Sequence, residues 1–221
     1  MPATSLQELF VEELRDAYDG EKRLTKALPK MAKAAESEEL RSALTNHLRE
    51  TERQIQRLEQ VFRTIGESVR GKKCDGLMGI IEEGKTAMEE LDEGSVLDAA
   101  IIAGAQRAEH YEIAAYGTLA YFAELLGNEK AKNLLGQTLD EEKAADEKLS
   151  TIAKSKVNRS ALMGAGMDEG ENEEEGEGDV MGRSNRRGAG RMAGIRSSGS
   201  RGNGGTRAMA NDRSRARRRT R

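Results

Sequence analysis

Acidic side chains interrupt the apolar face of four long amphipathic segments, each near the middle of its segment. The interrupting residues, with one histidine among them, are Glu21, His47, Glu50, Glu109, Glu112, Glu142 and Asp146. A buried carboxylate without a partner costs several kcal/mol. Five or six of them at one level therefore need a source of positive charge, and no Lys or Arg occupies these faces. Metal ions would supply that charge.

Most of these residues are paired at helical spacing, so that both side chains of a pair project from one side of a helix. The pairs are His47 with Glu50, Glu109 with Glu112, and Glu142 with Asp146. Such pairs can converge on one ion or bridge two. Oxygen-rich ligation with one imidazole favours iron or manganese over zinc or copper. The pattern therefore predicts an iron or manganese site with these seven residues as ligands.

Solvation is the alternative explanation for any one of these residues. A charged residue on a predicted core face is commonly an error of helical phase or a solvated edge. Glu21 could pair with Lys22 or Lys26, and His47 could be a hydrogen-bonded core residue. Four further residues could lie behind or beside the ligands: Tyr18, Gln54, His110 and Tyr116. His110 turns away from Glu109 along the helix and could instead lie on the surface, and core packing is the commoner role for the two tyrosines.

Residues 5–158 read as helices, and their order predicts the fold. The long helices run from Leu6 to about Glu36, Ser37 to Ile65, Ser95 to about Leu126, and Glu129 to about Lys156. Ser5 with Glu8, and Ser95 with Asp98, are capping patterns at two of the starts. Residues 66–94 form a long crossover with a short helix near Gly79–Leu91. The prediction is an all-α, ferritin-like antiparallel four-helix bundle over residues 1–159.

Residues 160–221 differ from the bundle in composition and are predicted to be disordered. They hold 13 of the 24 Gly residues and no aromatic, with an acidic block at 168–179 and a basic block at 183–221. The tail carries 13 Arg and 9 acids, a charge of +4; residues 1–159 carry 23 basic and 30 acidic residues, a charge of −7. Six arginines near the end are candidates for binding phosphate: Arg213, Arg215, Arg217, Arg218, Arg219 and Arg221.

Several classes of protein are excluded. The single cysteine, Cys74, cannot form an internal disulfide or a cysteine zinc site. No apolar run is long enough for a membrane helix, and the N-terminus does not resemble a signal peptide. No Ser-His-Asp set, phosphate loop or dinucleotide fingerprint is present. We expect a cytoplasmic protein with no membrane association.

Five segments resemble the YciE/YciF group of bacterial stress-associated, ferritin-like proteins. They are Leu14-Arg-Asp-Ala-Tyr-Asp-Gly-Glu21, Leu28-Pro-Lys-Met-Ala32, His47-Leu-Arg-Glu-Thr-Glu52, Glu109-His-Tyr-Glu-Ile-Ala-Ala-Tyr-Gly-Thr118 and Thr138-Leu-Asp-Glu-Glu-Lys143. The resemblance covers roughly residues 5–156. It implies a homodimeric four-helix bundle with a binuclear metal site, and no firmly established reaction.

Rubrerythrins and other di-iron proteins offer a more distant comparison, with Glu, Glu-x-x-His, Glu and Glu-x-x-His on successive helices. The four Glu positions match Glu21, Glu50, Glu109 and Glu142 in order. The two His positions do not match, because they hold Arg53 and Ala145. Glu112 resembles the additional carboxylate on the third helix of rubrerythrins.

Two hypotheses of function follow. The preferred one is a stress protein with a carboxylate-bridged di-iron or manganese site that oxidises ferrous iron or removes peroxide. Glu109 and Glu142 would bridge the ions, and the terminal ligands would be Glu21, Glu50, Glu112 and His47. The alternative is a non-enzymatic structural or interaction module whose Arg-rich tail binds nucleic acid or another polyanion.

Overall fold

Helices make up nearly all of the described part of the chain, residues 3–164 of a computed structural model. They are α1 (Leu6–Ala34), α2 (Glu38–Thr64), α3 (Asp75–Glu90), α4 (Ser95–Leu125), α5 (Glu129–Ile152) and α6 (Asn158–Met163). A single π-helical turn, Ala153–Val157, joins α5 to α6. Residues 3–164 contain no strand, which confirms the all-α class.

Four of the helices form a closed ring around one core. Helix α1 packs on α2, α2 on α5, α5 on α4, and α4 on α1. The connections from α1 to α2 and from α4 to α5 are three residues long, so each pair must be antiparallel. Helix α3 belongs to the crossover and packs outside the ring, on α4 and α1. This is the predicted ferritin-like bundle with one long crossover and a short extra helix.

Capping side chains begin the first two helices. The Ser5 hydroxyl accepts a hydrogen bond from the backbone N–H of Glu8 at 3.2 Å, and the Ser37 hydroxyl accepts one from Leu40 at 3.4 Å. Both satisfy an N–H group that the first helical turn leaves without a partner.

Helix α4 begins differently from the prediction. Gly94 is its N-cap residue, with a φ of 141° that a residue with a side chain rarely adopts. The Asp98 carboxylate instead accepts hydrogen bonds from the backbone N–H groups of Glu36 and Ser37, at 2.9 and 2.8 Å. Asp98 therefore caps the connection between α1 and α2 rather than its own helix.

Two helix ends depart from the predicted positions. Helix α3 starts at Asp75, earlier than Gly79, because its first turn buries Leu77 and packs Gly76 against Tyr111. A Cβ atom at Gly76 would lie 2.5 Å from Cε2 of Tyr111. At the other end the chain stays helical to Met163, beyond the predicted boundary at 159. The remaining residues of the predicted tail, with its acidic and basic blocks, lie outside the described residues.

The core has two apolar clusters separated by a polar layer. One cluster is centred on Phe10, Leu14, Phe62, Tyr116 and Leu119. The other is centred on Leu28, Leu40, Ile102, Leu149 and Ile152. Between them along each bundle helix lie eight buried polar residues: Glu21, His47, Thr51, Gln54, Glu109, Glu112, Thr138 and Glu142. None of the helices in residues 3–164 is long and apolar enough to cross a membrane.

Candidate metal centre

Four side chains of the polar layer converge at one point in the bundle. His47 comes from α2, Glu109 and Glu112 from α4, and Glu142 from α5. Each offers one nitrogen or oxygen, and these four atoms lie within 4.8 Å of one another. The His47 Nε2 atom is 3.4 Å from Glu109 Oε1 and 3.7 Å from Glu142 Oε2. All four residues are buried, so the cluster is held away from bulk water.

The hydrogen bonding of this cluster is incomplete. The Oε2 atoms of Glu109, Glu112 and Glu142, and that of Glu21 beside the cluster, are buried and have no hydrogen-bond partner among the described residues. A buried polar atom without a partner loses its hydration and gains nothing in exchange. Carboxylate oxygens and an imidazole are also the ligands that iron and manganese accept. The donor set therefore fits one or two such ions.

Burial raises the pKa of three of the carboxyl groups well above the usual range. For Glu21 and Glu112 the loss of hydration is the largest cause, followed by the negative charge of Glu142 on Glu21 and of Glu21 on Glu112. For Glu109 burial is again the largest cause, followed by contact with the Glu142 carboxyl. Each group resists ionisation until a positive charge compensates it.

Glu21 lies at the edge of the cluster, on α1. The Tyr116 hydroxyl donates a hydrogen bond to its Oε1 atom. The pKa of Tyr116 is raised, because its hydroxyl is buried and faces the Glu21 carboxylate. Tyr116 therefore fixes one oxygen of Glu21 and leaves the other free toward the neighbouring carboxylates.

A second group of polar residues supports Glu142 from behind. The Gln54 amide donates hydrogen bonds to Glu142 and, at 3.2 Å, to Glu141. Arg57 donates to Glu141 at 2.6 Å and to the Thr138 hydroxyl at 3.2 Å. These contacts tie α2 to α5 at the level of the cluster. Gln54 was identified in the sequence; Arg57 and Glu141 were not, because a charged residue beside a core face is usually solvated.

The structure does not bring Glu50 into the cluster. Its side chain is 34% exposed, and its Oε2 atom is 3.5 Å from Nδ1 of His47. Contact with the His47 imidazole holds the pKa of the Glu50 carboxyl below its usual range. The face that α2 buries includes Thr51 instead of Glu50, at the position one residue further along the chain. Glu50 thus lies behind His47, at the solvent side.

Three other predicted site residues also face elsewhere. Asp146 is 23% exposed, and it accepts a hydrogen bond from the Gln106 amide at 2.9 Å. His110 is 69% exposed and lies 3.4 Å from Asp146, on the outside of the bundle. The Tyr18 hydroxyl donates to Glu59, at 3.3 Å, rather than to Glu21.

Two cavities reach the cluster from different sides. A cavity of about 230 Å³ between α2 and α5 is lined by His47, Glu50, Glu109 and Glu141 among others. A larger cavity of about 530 Å³ lies between α1, α3 and α4, and its lining also includes His47 and Glu109. The centre is therefore buried but accessible to small solutes.

The sequence and the fold of this chain are both similar to those of known proteins. Residues 5–162 match the family described as Domain of unknown function (DUF892). The chain belongs to this family. Protein YciF of Escherichia coli strain K12 is 45% identical to it over 162 residues, which cover 73% of this chain and 98% of YciF.

Three solved structures resemble this chain in fold. The crystal structure of YciF, described as an E. coli stress protein, gives a TM-score of 0.69 at 45% identity and covers 71% of this chain and 99% of that one. YcfI from Rhodopseudomonas palustris gives 0.65 at 48% identity and covers 68% and 96%. A Xanthomonas campestris protein is similar in fold at 20% identity, with a TM-score of 0.58 over 73% and 99% of the two chains.

Proposed function

We propose that this protein is a metal-dependent member of the DUF892 family that serves in a stress response, as its relative YciF is described to do. Its centre would hold iron or manganese, with His47, Glu109, Glu112 and Glu142 as the ligands in the middle and Glu21 at the edge. The supporting observation is the convergence of four buried ligand atoms within 4.8 Å, beside carboxylate oxygens that have no other partner.

Each residue of the centre has a separate task. Glu109 and Glu142, whose carboxylate oxygens lie 3.4 and 3.7 Å from His47 Nε2, would hold the metal together with the imidazole. Glu112 and Glu21 would supply further carboxylate oxygens, ionised once a metal ion compensates their charge. Tyr116 and Gln54 hold one oxygen each of Glu21 and Glu142, so the second oxygen keeps its direction. Glu50 faces the other nitrogen of the imidazole and would orient the ring.

The reaction we propose is oxidation of ferrous iron or removal of peroxide. Iron or manganese would supply the change of oxidation state, since none of the residues of the centre is itself a two-electron reductant. The protein would contribute geometry, exclusion of bulk water and proton acceptors. Burial raises the pKa of Glu21, Glu109 and Glu112 in the metal-free protein, so a metal ion that binds there would have to displace protons from these groups.

Metal content and metal-linked stability test this proposal. Purified full-length protein, stripped of metal and then titrated anaerobically with Fe²⁺ or Mn²⁺, should bind one or two ions per chain. Its melting temperature should rise by about 5–10 °C at saturating metal, because an ion that binds only the folded state stabilises it. Oxidation of bound Fe²⁺ by air or peroxide, followed by absorbance, would then test the reaction.

Two variants separate a specific site from general binding by acidic residues. Glu109→Ala should lose the metal-induced rise, while the melting temperature of its metal-free form stays unchanged or increases. Glu90→Ala, at the exposed end of α3, should keep the full rise. An equal rise in both variants would contradict the centre described here.

The alternative function, polyanion binding by the Arg-rich tail, concerns residues outside the described range. It stays a prediction from the sequence and is argued below with its test.

A further inference from the structure

The cavity between α1, α3 and α4 has the size of a small-molecule pocket. Its volume of about 530 Å³ falls within the roughly 300–1,000 Å³ typical of ligand sites. The cavity exists because α3 packs on the outside of α1 and α4 rather than within the ring. At its inner end it contacts His47 and Glu109 of the candidate metal centre.

The apolar part of the cavity wall is mostly aliphatic. It includes Leu28 of α1, Ile80, Ile81 and Met88 of α3, and Ile101 of α4. The one aromatic residue of the lining is Tyr18, whose ring lies under the Lys22 ammonium at 5.3 Å. The apolar surface that a ligand would meet here is therefore hydrocarbon, with the Tyr18 ring already covered by a lysine.

Two glycines keep this space open. Gly84 of α3 and Gly104 of α4 both line the cavity, and a Cβ atom at Gly104 would lie 3.8 Å from Cα of Gly84. A Cβ atom at Gly84 would have no heavy atom within 4 Å. A Cβ atom at Gly84 thus meets open space, and a larger side chain there would take up part of the cavity that Gly84 lines.

Positive charge lines the mouth. Lys22, Lys26 and Lys30 are exposed, follow one another at intervals of four along α1, and all contribute to the lining. Within residues 3–164, no carboxylate lies within 4.0 Å of the ammonium group of Lys26 or Lys30. Two other cations of the lining are paired: Arg23 with Asp19 at 2.6 Å, and Lys85 with Glu82 at 2.9 Å.

We propose that this cavity binds a free amphipathic carboxylate of the medium-chain fatty acid class. The carboxylate would lie at Lys26 and Lys30, and the acyl chain would run between α3 and α4 toward the metal centre. An aliphatic wall selects the chain, and two lysines without a carboxylate partner select the charged head. Binding in this cavity does not depend on a metal ion at the centre, so this inference stands apart from the proposed function.

A fluorescence displacement assay on the full-length protein tests the binding. Dansyl-labelled undecanoate should become brighter when it binds, and decanoate should displace it. Decanol, which lacks the charge, and butyrate, which lacks the chain, should each displace it at least about tenfold less effectively, since a factor of ten corresponds to about 1.4 kcal/mol. Equal displacement by decanol would overturn the role of the lysines, and equal displacement by butyrate the role of the wall.

Matched variants locate the site. The double variant Lys26→Gln and Lys30→Gln should weaken decanoate binding at least about tenfold, and Lys33→Gln, an exposed lysine of α1 outside the lining, should not change it. Gly84→Leu should abolish binding, whereas Gly79→Leu, in open space on the same helix, should not. Equal decanoate affinity of the double lysine variant and Lys33→Gln, or of Gly84→Leu and Gly79→Leu, would refute this location of the binding site. Because the lysine variants change only exposed side chains, they decide the matter even if Gly84→Leu does not fold.

Two further measurements separate this inference from others. The assay repeated on metal-free protein should give decanoate binding of similar strength. If the protein fails to bind metal, the fatty-acid proposal is therefore unaffected. If it fails to bind decanoate, the metal proposal is unaffected. Phosphatidylglycerol vesicles should not bind, since an acyl chain held in a bilayer cannot enter the cavity. Binding to vesicles but not to decanoate would refute a free carboxylate as the ligand.

Discussion

At the scale of single residues, Glu112 illustrates how the fold disfavours charge in the centre. Its carboxyl group is fully buried on α4, and the Oε2 atom has no hydrogen-bond partner. Burial, then the charges of Glu21, Glu142 and Glu109, raise its pKa well above the ordinary value of 4.5. Without metal the folded protein therefore binds a proton at Glu112 that the unfolded chain releases.

This difference predicts a pH-dependent stability of the metal-free protein. Between the ordinary pKa and the raised one, the folded state holds more protons, so its stability must fall as pH rises. We expect the melting temperature to decrease from about pH 5.5 to pH 8. Glu112→Gln, which cannot ionise, should make this dependence less steep, with Glu21 and Glu109 still contributing, and should be more stable than the wild type at pH 8 by about 1 kcal/mol or more.

The control for this experiment is Glu89→Gln, a substitution of an exposed carboxylate on α3. It should retain the wild-type slope. Carboxylates with a lowered pKa, such as Glu50, act in the opposite sense but only below about pH 4.5, outside the measured range. A stability that is flat with pH in the wild type, or equally steep in Glu112→Gln, would contradict the prediction.

At the scale of the elements, the position of α4 is coupled to the turn between α1 and α2. The Asp98 carboxylate is buried and accepts the N–H groups of Glu36 and Ser37, both of which precede the first turn of α2. This contact lies at the end of the bundle beyond the cluster of Leu28, Leu40 and Ile102. It holds α4 in register with α1 and α2, and so it helps to align Glu109 and Glu112 with His47.

Loss of this contact should destabilise the fold. Asp98→Ala leaves two backbone N–H groups without an acceptor, and we expect a decrease of about 2–4 kcal/mol in the free energy of unfolding. Urea denaturation followed by circular dichroism measures it. Asp92→Ala, an exposed aspartate in the loop before α4, is the matched control and should change stability by less than about 0.5 kcal/mol. Similar values for the two variants would show that Asp98 has no capping role.

At the scale of the whole molecule, the charge is divided between an acidic body and a basic tail. Residues 1–164 hold 23 basic and 30 acidic residues, and the chain beyond them holds 13 Arg and 9 acids. An acidic body repels phosphate, so any binding of nucleic acid must come from the tail. The apolar face of the last helices ends at Val157, ahead of this boundary.

Deletion of residues 165–221 should therefore separate stability from polyanion binding. The truncated protein should keep its helicity and melt within about 2 °C of the full chain, because the described core lies within residues 3–164. Only the full chain should bind labelled single-stranded DNA, with an affinity that drops steeply between low and physiological salt. Equal affinity of both proteins, or no binding by either at low salt, would refute the tail hypothesis.

Much of the architecture follows from patterns within the sequence. Apolar residues at intervals of three and four defined the bundle helices, and the short and long connections between them defined their order in the bundle. The carboxylates that interrupt these faces were visible because Glu109, Glu112 and Glu142 stand where an apolar residue is expected. A local period is sufficient for such inferences, since each helix carries its own buried face.

Tertiary structure alone decided which neighbours in that pattern face inward. Glu50 and Thr51 are adjacent, and a helical period allows either on the core face, but the packing of α2 on α1 and α5 buries Thr51. The partners of Asp98, the link from Arg57 to Glu141 and the cavity beneath α3 join residues far apart in the chain. The helical periodicity of a single segment does not predict these contacts or this cavity, because they depend on the rotation and axial position of each helix relative to its neighbours.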